Sequence, residues 1–585
     1  MSKQRIAVVN QDKLRKKHDI IIFCADACPV NRDGKDCIYE QNETMYIDEK
    51  LCIGCGICVN ICPIPEAIKI VNLPSELKED PVHRYGENQF ALFSLPMPQF
   101  GKVVGILGVN GIGKSTALNI LAGRIKANFG NFSEEPSYDK LVEYFKGTES
   151  QKFFEQVRSG NIKISHKPQA VDAIPKYASG TVREVLQKKD EKNQFGIIVK
   201  TLDLENVLDR DLKQLSGGEL QRVAIAATVL KDANLYIFDE PSSYLDIKQR
   251  LKVSEFIKNL ADEKTAVLVV EHDILILDHM TDIVHIMYGV EDVFGVVSQP
   301  RTTKIAINAY LSGYLKEENV RMRNHEILFS PTSLDLEKNT PLISSWKNIS
   351  KKIGSFSLTA SEGDIHEDEV VGILGENGIG KTSFVKLLAK VDEVDQGAIN
   401  ESVVVSYKPQ YLHTESNELV INILQEAKAK YNHQLIQPLN LEPLFMKQIN
   451  QLSGGQLQRV SIAYCLAKDA KLFLLDEPSA YLDVEQRLKL SKIIKNFMQE
   501  RGTSALIVDH DLLFLDFISH RLIVFDGEPA IKGSAHGPFS MSSGMNLFLE
   551  KLEITMRRDE ESKRPRINKK FSQKDREQKQ KGKYY

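Results

Sequence analysis

Apolar residues along the chain come in short runs closed by glycines or carboxylates, and the runs recur in pairs. VVGIL stands at 103–107 and again at 370–374, each time running into a glycine-rich loop. LYIFDE (235–240) and LFLLDE (472–477) end in two carboxylates, and AVLVVEHD (266–273) and SALIVDHD (504–511) carry a histidine between acids. Such runs predict buried strands. Between 128 and 165 the pattern changes. SYDKLVEYFKGTESQKFFEQVRSG alternates aromatic and charged residues at helical spacing around Gly147. This predicts a small helical hairpin on the surface, with a plain loop extension as the alternative. No run approaches the ~18 apolar residues of a membrane span. MSKQRIAVVNQDKLRKK has neither a long apolar core nor a small-residue cleavage site, so secretion is not expected.

The pairing extends to whole motifs in the same order. GILGVNGIGKST (105–116) recurs as GILGENGIGKTS (372–383), and QLSGGELQRVAIA (214–226) as QLSGGQLQRVSIA (451–463). IFDEPSSYLDIKQRLK (237–252) recurs as LLDEPSAYLDVEQRLK (474–489). The chain therefore carries a duplicated domain of roughly 200 residues. Lys114 to Gln169 spans 55 residues but Lys381 to Gln410 only 29, which places an insertion at 128–165 of the first copy. The expected organisation is a cysteine domain (1–75), a first repeat (76–295), a connector (296–345), a second repeat (346–540) and a tail (541–585).

Gly108–Ser115 and Gly375–Thr382 match G-x-x-x-x-G-K-[ST]. The glycines Gly108, Gly111, Gly113, Gly375, Gly378 and Gly380, with Asn110 and Asn377, let backbone N–H groups wrap phosphates at a helix start. Thr116 and Ser383 follow each loop. Lys114 and Lys381 suit the β- and γ-phosphates, and Ser115 and Thr382 suit Mg²⁺. Asp239 and Asp476 are candidates to organise Mg²⁺, and Glu240 and Glu477 to polarise water. His272 and His510 are placed to touch the γ-phosphate, and Gln169 and Gln410 to order Mg²⁺ and water. Ser216, Gly217 and Gly218, like Ser453, Gly454 and Gly455, open a helix with N–H groups free for an anion. The cofactors expected are ATP and Mg²⁺.

Charge changes the picture only at the end of the chain. The whole is nearly neutral at −3, but 557–585 holds 12 basic and 5 acidic residues, which reads as a solvated arm able to face a polyanion. Cysteine placement adds more, since seven of eight lie between Cys24 and Cys62. Cys52-x2-Cys55-x2-Cys58-x3-Cys62-Pro63 is a ferredoxin run for a [4Fe–4S] cluster. Cys24-x3-Cys28-Pro29 looks like the end of a companion run, so Cys28 completes the set with Cys52, Cys55 and Cys58.

The LSGG loops resemble those of ATP-binding-cassette ATPases, where each completes the site of the opposite domain. That implies a head-to-tail arrangement, with Gly108–Ser115 opposite Ser453, Gly375–Thr382 opposite Ser216, and D-loops at Ser242–Asp246 and Ser479–Asp483. With the cysteine head, and with LCIGCGIC, HRYGENQF and LEITMRRD, the whole chain resembles the RNase L inhibitor family, subfamily E of these ATPases. The fold implied is multidomain α/β, a ferredoxin-like iron–sulfur domain plus two P-loop nucleotide-binding domains. Tyr85 resembles the family's adenine-stacking tyrosine; Phe356 is its counterpart or a core residue. The function implied is ATP-driven ribosome recycling by a cytoplasmic (or also nuclear) monomer that needs no membrane. The partners implied are the small subunit and its rRNA, class-1 release and Pelota-type factors, and initiation factors. Alternatives are a motor for a separate membrane transporter, or an iron–sulfur electron-transfer ATPase. One departure stands out. The family's first run has two cysteines ahead of Cys24, whereas Leu14, Arg15, Asp19 and Ile20 stand here. One cluster is expected. A second would rest on Cys24 and Cys62, with Cys37 as a substitute and His18 as the nearest other donor; the alternative is that the IIIF run fills the space.

Overall fold

The paired apolar runs form the parallel centres of two sheets. The computed structural model describes residues 5–64, 66–73, 80–132, 138–147, 149–329, 340–399, 403–409 and 416–585. They divide into two units. One holds the chain up to Ser243 with Glu255–His272 and Met280–Ile327; the other holds Tyr244–Ser254, Asp273–His279 and Leu328 onward. Among the described residues no helix is long and apolar enough to cross a membrane.

In the first unit, strand Val103–Leu107 lies between Ala266–Val270 and Ile283–Val290, parallel to both, and Leu235–Asp239 pairs parallel with Ala266–Val270. All five residues of Val103–Leu107, of Leu235–Asp239 and of Ala266–Val270 are buried. Burial on both faces is why these runs are continuously apolar rather than alternating. Because the strands run parallel, Leu107, Asp239 and Val270 end at the same edge of the sheet. The loops that follow them, carrying the glycines, Glu240 and His272, converge there.

The cysteine segment belongs to this unit. Strand Arg5–Val9 pairs antiparallel with Ile68–Asn72, and Ile38–Gln41 forms a hairpin with Thr44–Ile47. Asn88 ties this segment to the sheet. It is 4% exposed, its Nδ2 donates to the carbonyls of Ala7 and Ile47, and its Oδ1 accepts from Ile47 N. Arg84 adds a two-point pair with Glu49 at 3.0 and 2.6 Å. The insertion does form a helical hairpin, Tyr138–Tyr144 packed on Glu149–Arg158. It is more than surface decoration, since Leu141, Phe145, Phe153 and Phe154 join the core that contains Leu118 and Leu121. Residues 133–137 and 148 of it lie outside the described residues.

The second unit repeats the plan. Strand Val370–Leu374 runs parallel between Ser504–Val508 and Arg521–Glu528, with Leu472–Asp476 beyond Ser504–Val508. Its end corrects part of the expectation of a solvated tail. Met556–Arg558 pairs with Pro565–Ile567, and Gln573–Gln580 is helical. Asp278 and Asp516 take up three of the tail's arginines, while Lys569, Lys570, Lys574, Lys581 and Lys583 stay exposed as a solvated arm would. Arg564 is fully buried with its Nη1 3.1 Å from Asp278, which Arg566 also grips at 2.7 and 3.0 Å. Arg558 forms a two-point pair with Asp516.

Candidate functional site

Each glycine loop closes onto a helix, Lys114–Leu121 or Lys381–Leu388, through a glycine with φ near +90°. Gly113 (φ +91°) and Gly380 (φ +92°) also admit an aromatic ring beneath the loop. An added Cβ would meet Phe90 at 2.6 Å and Phe356 at 3.0 Å. Phe356 therefore matches Phe90, not Tyr85, and supports the loop from below against the unit's core. Tyr85 is half exposed with its hydroxyl 3.1 Å from that of Thr116, at the outer side of the first loop.

The lysines are folded back on their loops. Lys114 Nζ donates to the carbonyls of Gly108 (2.9 Å) and Val109 (2.8 Å) and lies 3.5 Å from Asn110 Oδ1. Lys381 Nζ donates to Gly375 (2.8 Å) and Glu376 (2.6 Å). Burial lowers the pKa of Lys381 to about 8, against the pull of Asp246 and Glu477. Ser115 donates to Asp239 at 3.0 Å and Thr382 to Asp476 at 2.8 Å, so the expected Mg²⁺ ligands already meet in both copies. Burial, with Glu240 alongside, lifts the Asp239 carboxyl to about 6, partly offset by Ser115. A divalent cation supplies the charge that relieves this cost.

Glu240 is gathered by three predicted or neighbouring groups. Gln169 Nε2 donates to its Oε1 at 2.6 Å, Ser243 donates to its Oε2 at 3.2 Å, and His272 Nε2 stands 3.4 Å away. Burial raises its pKa, but the hydrogen bond and charge of His272 outweigh that and hold it near 2. It is a carboxylate at neutral pH, with acceptor oxygens suited to orient a water. His510 Nε2 stands 3.6 Å from Glu477, and burial drives the His510 pKa well down. Gln410 lies outside the described residues. Ser216 and Ser453 cap the helices Gly217–Val229 and Gly454–Ala467 as expected. Their side chains accept from Glu219 N and Gln456 N, and Ser216 N donates to Glu219 at 2.8 Å. A Cβ at Gly455 would stand 2.9 Å from the Tyr481 carbonyl, and one at Gly454 3.1 Å from its ring, so both positions pack tightly on Tyr481. Within the second unit, Asp246 accepts from Asn377 N at 3.0 Å, joining the first D-loop to the second glycine loop.

Sequence reading missed the groups behind these carboxylates. Glu271 holds Ser242 N at 2.7 Å, and Asp509 holds the N and Oγ of Ser479 at 3.1 and 2.8 Å. Lys167, Lys408, Gln221 and Gln458 reach the backbone of the Asp–Glu pairs. All stand inside motifs already aligned, at matching offsets in both copies; that recurrence was the available signal.

The cysteines separate into two groups. Cys28, Cys37, Cys52, Cys55 and Cys58 line one cleft of about 300 Å³, counting its open mouth, with Val30, Ile38, Ile47, Ile53 and Ile70 around them. This corrects the placement of Cys37, whose free thiol is hydrogen-bonded to those of Cys28 and Cys52 rather than grouped with Cys24. Burial and the neighbouring thiols push the Cys58 thiol up to about 11 and Cys37 further. A site that opposes bare thiolates so strongly, yet gathers five sulfurs, fits a positively charged iron cluster. The second position gathers only two thiols, Cys24 and Cys62. Cys24, fully buried, is hydrogen-bonded as a free thiol to Cys62, and Leu14 and Ile21 pack with it in one apolar cluster. His18 is turned outward, paired with Glu40 at 2.5 Å.

Known proteins share this arrangement. The model of the ABC transporter family matches residues 95–243 and 358–480, and that of the 4Fe-4S binding domain matches 45–64. An uncharacterized ABC transporter ATP-binding protein of Methanocaldococcus jannaschii is 48% identical over 99% of this chain and 97% of its own length. Translation initiation factor RLI1 of Saccharomyces cerevisiae is 41% identical over 99% of this chain and 98% of its own. The solved structure described as a model of ribosome-bound archaeal Pelota and ABCE1 contains a chain 49% identical, with a TM-score of 0.94 and full coverage of both chains. Twin cassettes behind a cysteine cleft, matched end to end, make this ATP hydrolase a member of the RNase L inhibitor family, subfamily E of the ATP-binding-cassette proteins.

Proposed function

We propose that the protein is an ATP-driven ribosome recycling factor. It splits ribosomes after termination or rescue and stays on the small subunit toward initiation. The observation that carries this is the end-to-end likeness, at a TM-score of 0.94, to a chain described as ribosome-bound with Pelota. The reading includes a cytoplasmic monomer that contacts small-subunit rRNA and works with release-type, Pelota-type and initiation factors.

ATP binds at two sites, one on each glycine loop, Gly108–Ser115 and Gly375–Thr382. The phosphates displace the loop carbonyls from Lys114 and Lys381, and Tyr85 stacks on adenine at the first site. Ser115 with Asp239, and Thr382 with Asp476, would hold Mg²⁺, which would supply positive charge opposite the phosphates. Glu240 orients water with Gln169 and His272 beside it; Glu477 and His510 do the same in the second copy, with Gln410 in the role of Gln169. Iron is held as one [4Fe–4S] cluster by Cys28, Cys52, Cys55 and Cys58.

The test is gradient sedimentation of ribosomes with the protein, a Pelota-type factor and ATP. Free subunits are expected. With Glu240→Gln/Glu477→Gln, hydrolysis stops while ATP binding persists, and the protein accumulates on small subunits. Intact ribosomes under every condition would sink the recycling reading.

A further inference from the structure

Glu240 and Glu477 share an uncommon backbone. Their φ angles are +48° and +47°, in the left-handed region. A residue with a β-carbon pays roughly 1–2 kcal/mol there, and keeps the conformation only where its surroundings over-determine it. Here they do so twice. Glu240 N donates to Val270 O at 3.0 Å, and Glu477 N to Val508 O at 2.8 Å. On the carbonyl side, Gln221 Nε2 donates to Glu240 O and Gln458 Nε2 to Glu477 O, both at 2.6 Å. A lysine completes each cage. Lys167 Nζ donates to Asp239 O at 2.8 Å and Glu240 O at 3.2 Å, and Lys408 Nζ to Asp476 O at 2.7 Å and Pro409 O at 3.1 Å.

These four side chains are at most 1% exposed. Burying an ammonium costs several kcal/mol, and an apolar side chain of similar volume serves packing as well or better. Burial lowers both lysines to about 8, the nearby Asp and Glu carboxylates opposing it. A costly cation at the same place in two copies, aimed at main-chain oxygens of the Asp–Glu pair, is poorly explained by packing. The glutamine also stands five residues after Ser216 or Ser453, on the helix that each serine caps. The cage therefore ties the LSGG helix to the main chain of the glutamate in its own copy.

We propose that Lys167 with Gln221, and Lys408 with Gln458, are positioning residues for hydrolysis. They lock the peptide between Asp239 and Glu240, and between Asp476 and Glu477, so that each glutamate faces the attacking water. The inference rests on the role given above to Glu240 and Glu477. The experiment compares Lys167→Met/Lys408→Met with Glu240→Gln/Glu477→Gln in the full-length protein. The lysine variant is expected to lose about 10- to 100-fold in kcat, while KM for ATP and the Kd of a fluorescent ATP analogue move less than about threefold. Its thermal midpoint should stay within a few degrees of the parent. A kcat within twofold of the parent, while the glutamine variant is inactive, overturns the cage and leaves the glutamates' role standing. If the glutamine variant itself hydrolyses ATP at the parental rate, the glutamates' role fails and the cage with it. Should the lysine variant unfold, Gln221→Met/Gln458→Met decides. The same split of kcat from KM supports the cage, and a kcat loss matched by lost ATP affinity or a lowered midpoint refutes it.

Discussion

His520 shows how one side chain sets a pH dependence. It is 6% exposed, and its Nδ1 accepts from Val370 N at 2.9 Å, so the neutral ring fits and the charged ring does not. Burial, with Lys495 adding to it, lowers its pKa to about 4. The unfolded chain takes up this proton below about 6.5, the folded chain only near 4, so acid favours unfolding. Its stabilising contribution is complete above pH 6.5 and is lost as pH falls toward 4, on the order of 3 kcal/mol in all. His520→Asn keeps an acceptor for Val370 N but cannot titrate. The urea midpoint should then fall less between pH 7 and 5 in the variant than in the parent. An unchanged difference would show that His520 does not contribute to the acid limb. The sequence marks the histidines of the HD motifs and His18; nothing local distinguishes His520 from a surface residue.

At the scale of elements, the inserted hairpin and the C-terminal segment were read as accessories, and both are packed. Phe154, 1% exposed, stacks on Phe145 at 5.5 Å and edge-on to Phe153 at 5.2 Å, inside the core of the first unit. Phe154→Ala should therefore destabilise by about 3–5 kcal/mol. Tyr177→Ala, at a site 87% exposed, should stay within about 0.5 kcal/mol. Thermal unfolding of the two variants checks this, and equal midpoints would mean that the hairpin packs only loosely. Helical spacing revealed the hairpin because period is a local property. Its inward face was hidden because the core it joins, with Leu118 and Leu121, lies twenty or more positions from Leu141. The basic tail misled for the same reason: Arg564 and Arg566 read as solvated until Asp278, nearly three hundred residues earlier, is brought against them.

Across the whole molecule the sharpest open quantity is iron. Five thiols line one cleft, whereas Cys24 and Cys62 close on each other beside Leu14 and Ile21. Anaerobically purified protein should bind about four irons, as one [4Fe–4S] cluster requires. Cys58→Ser should remove most of them, and Cys62→Ser few; a stable count near eight would overturn the single-cluster reading. The sequence by itself determined the duplication, the two phosphate loops with their Asp–Glu and LSGG partners, and the ferredoxin run. Each is a contiguous motif whose chemistry depends on glycine freedom, strand ends and tight spacing, all written within a few residues. Only the tertiary structure decided that Cys37 joins Cys28 and Cys52, that Phe356 supports a loop, and that Lys167 and Lys408 turn inward. Those outcomes depend on which distant segments meet and on how much water they exclude. No local pattern encodes that, since a lysine or a thiol looks the same in sequence whether it faces solvent or a carbonyl.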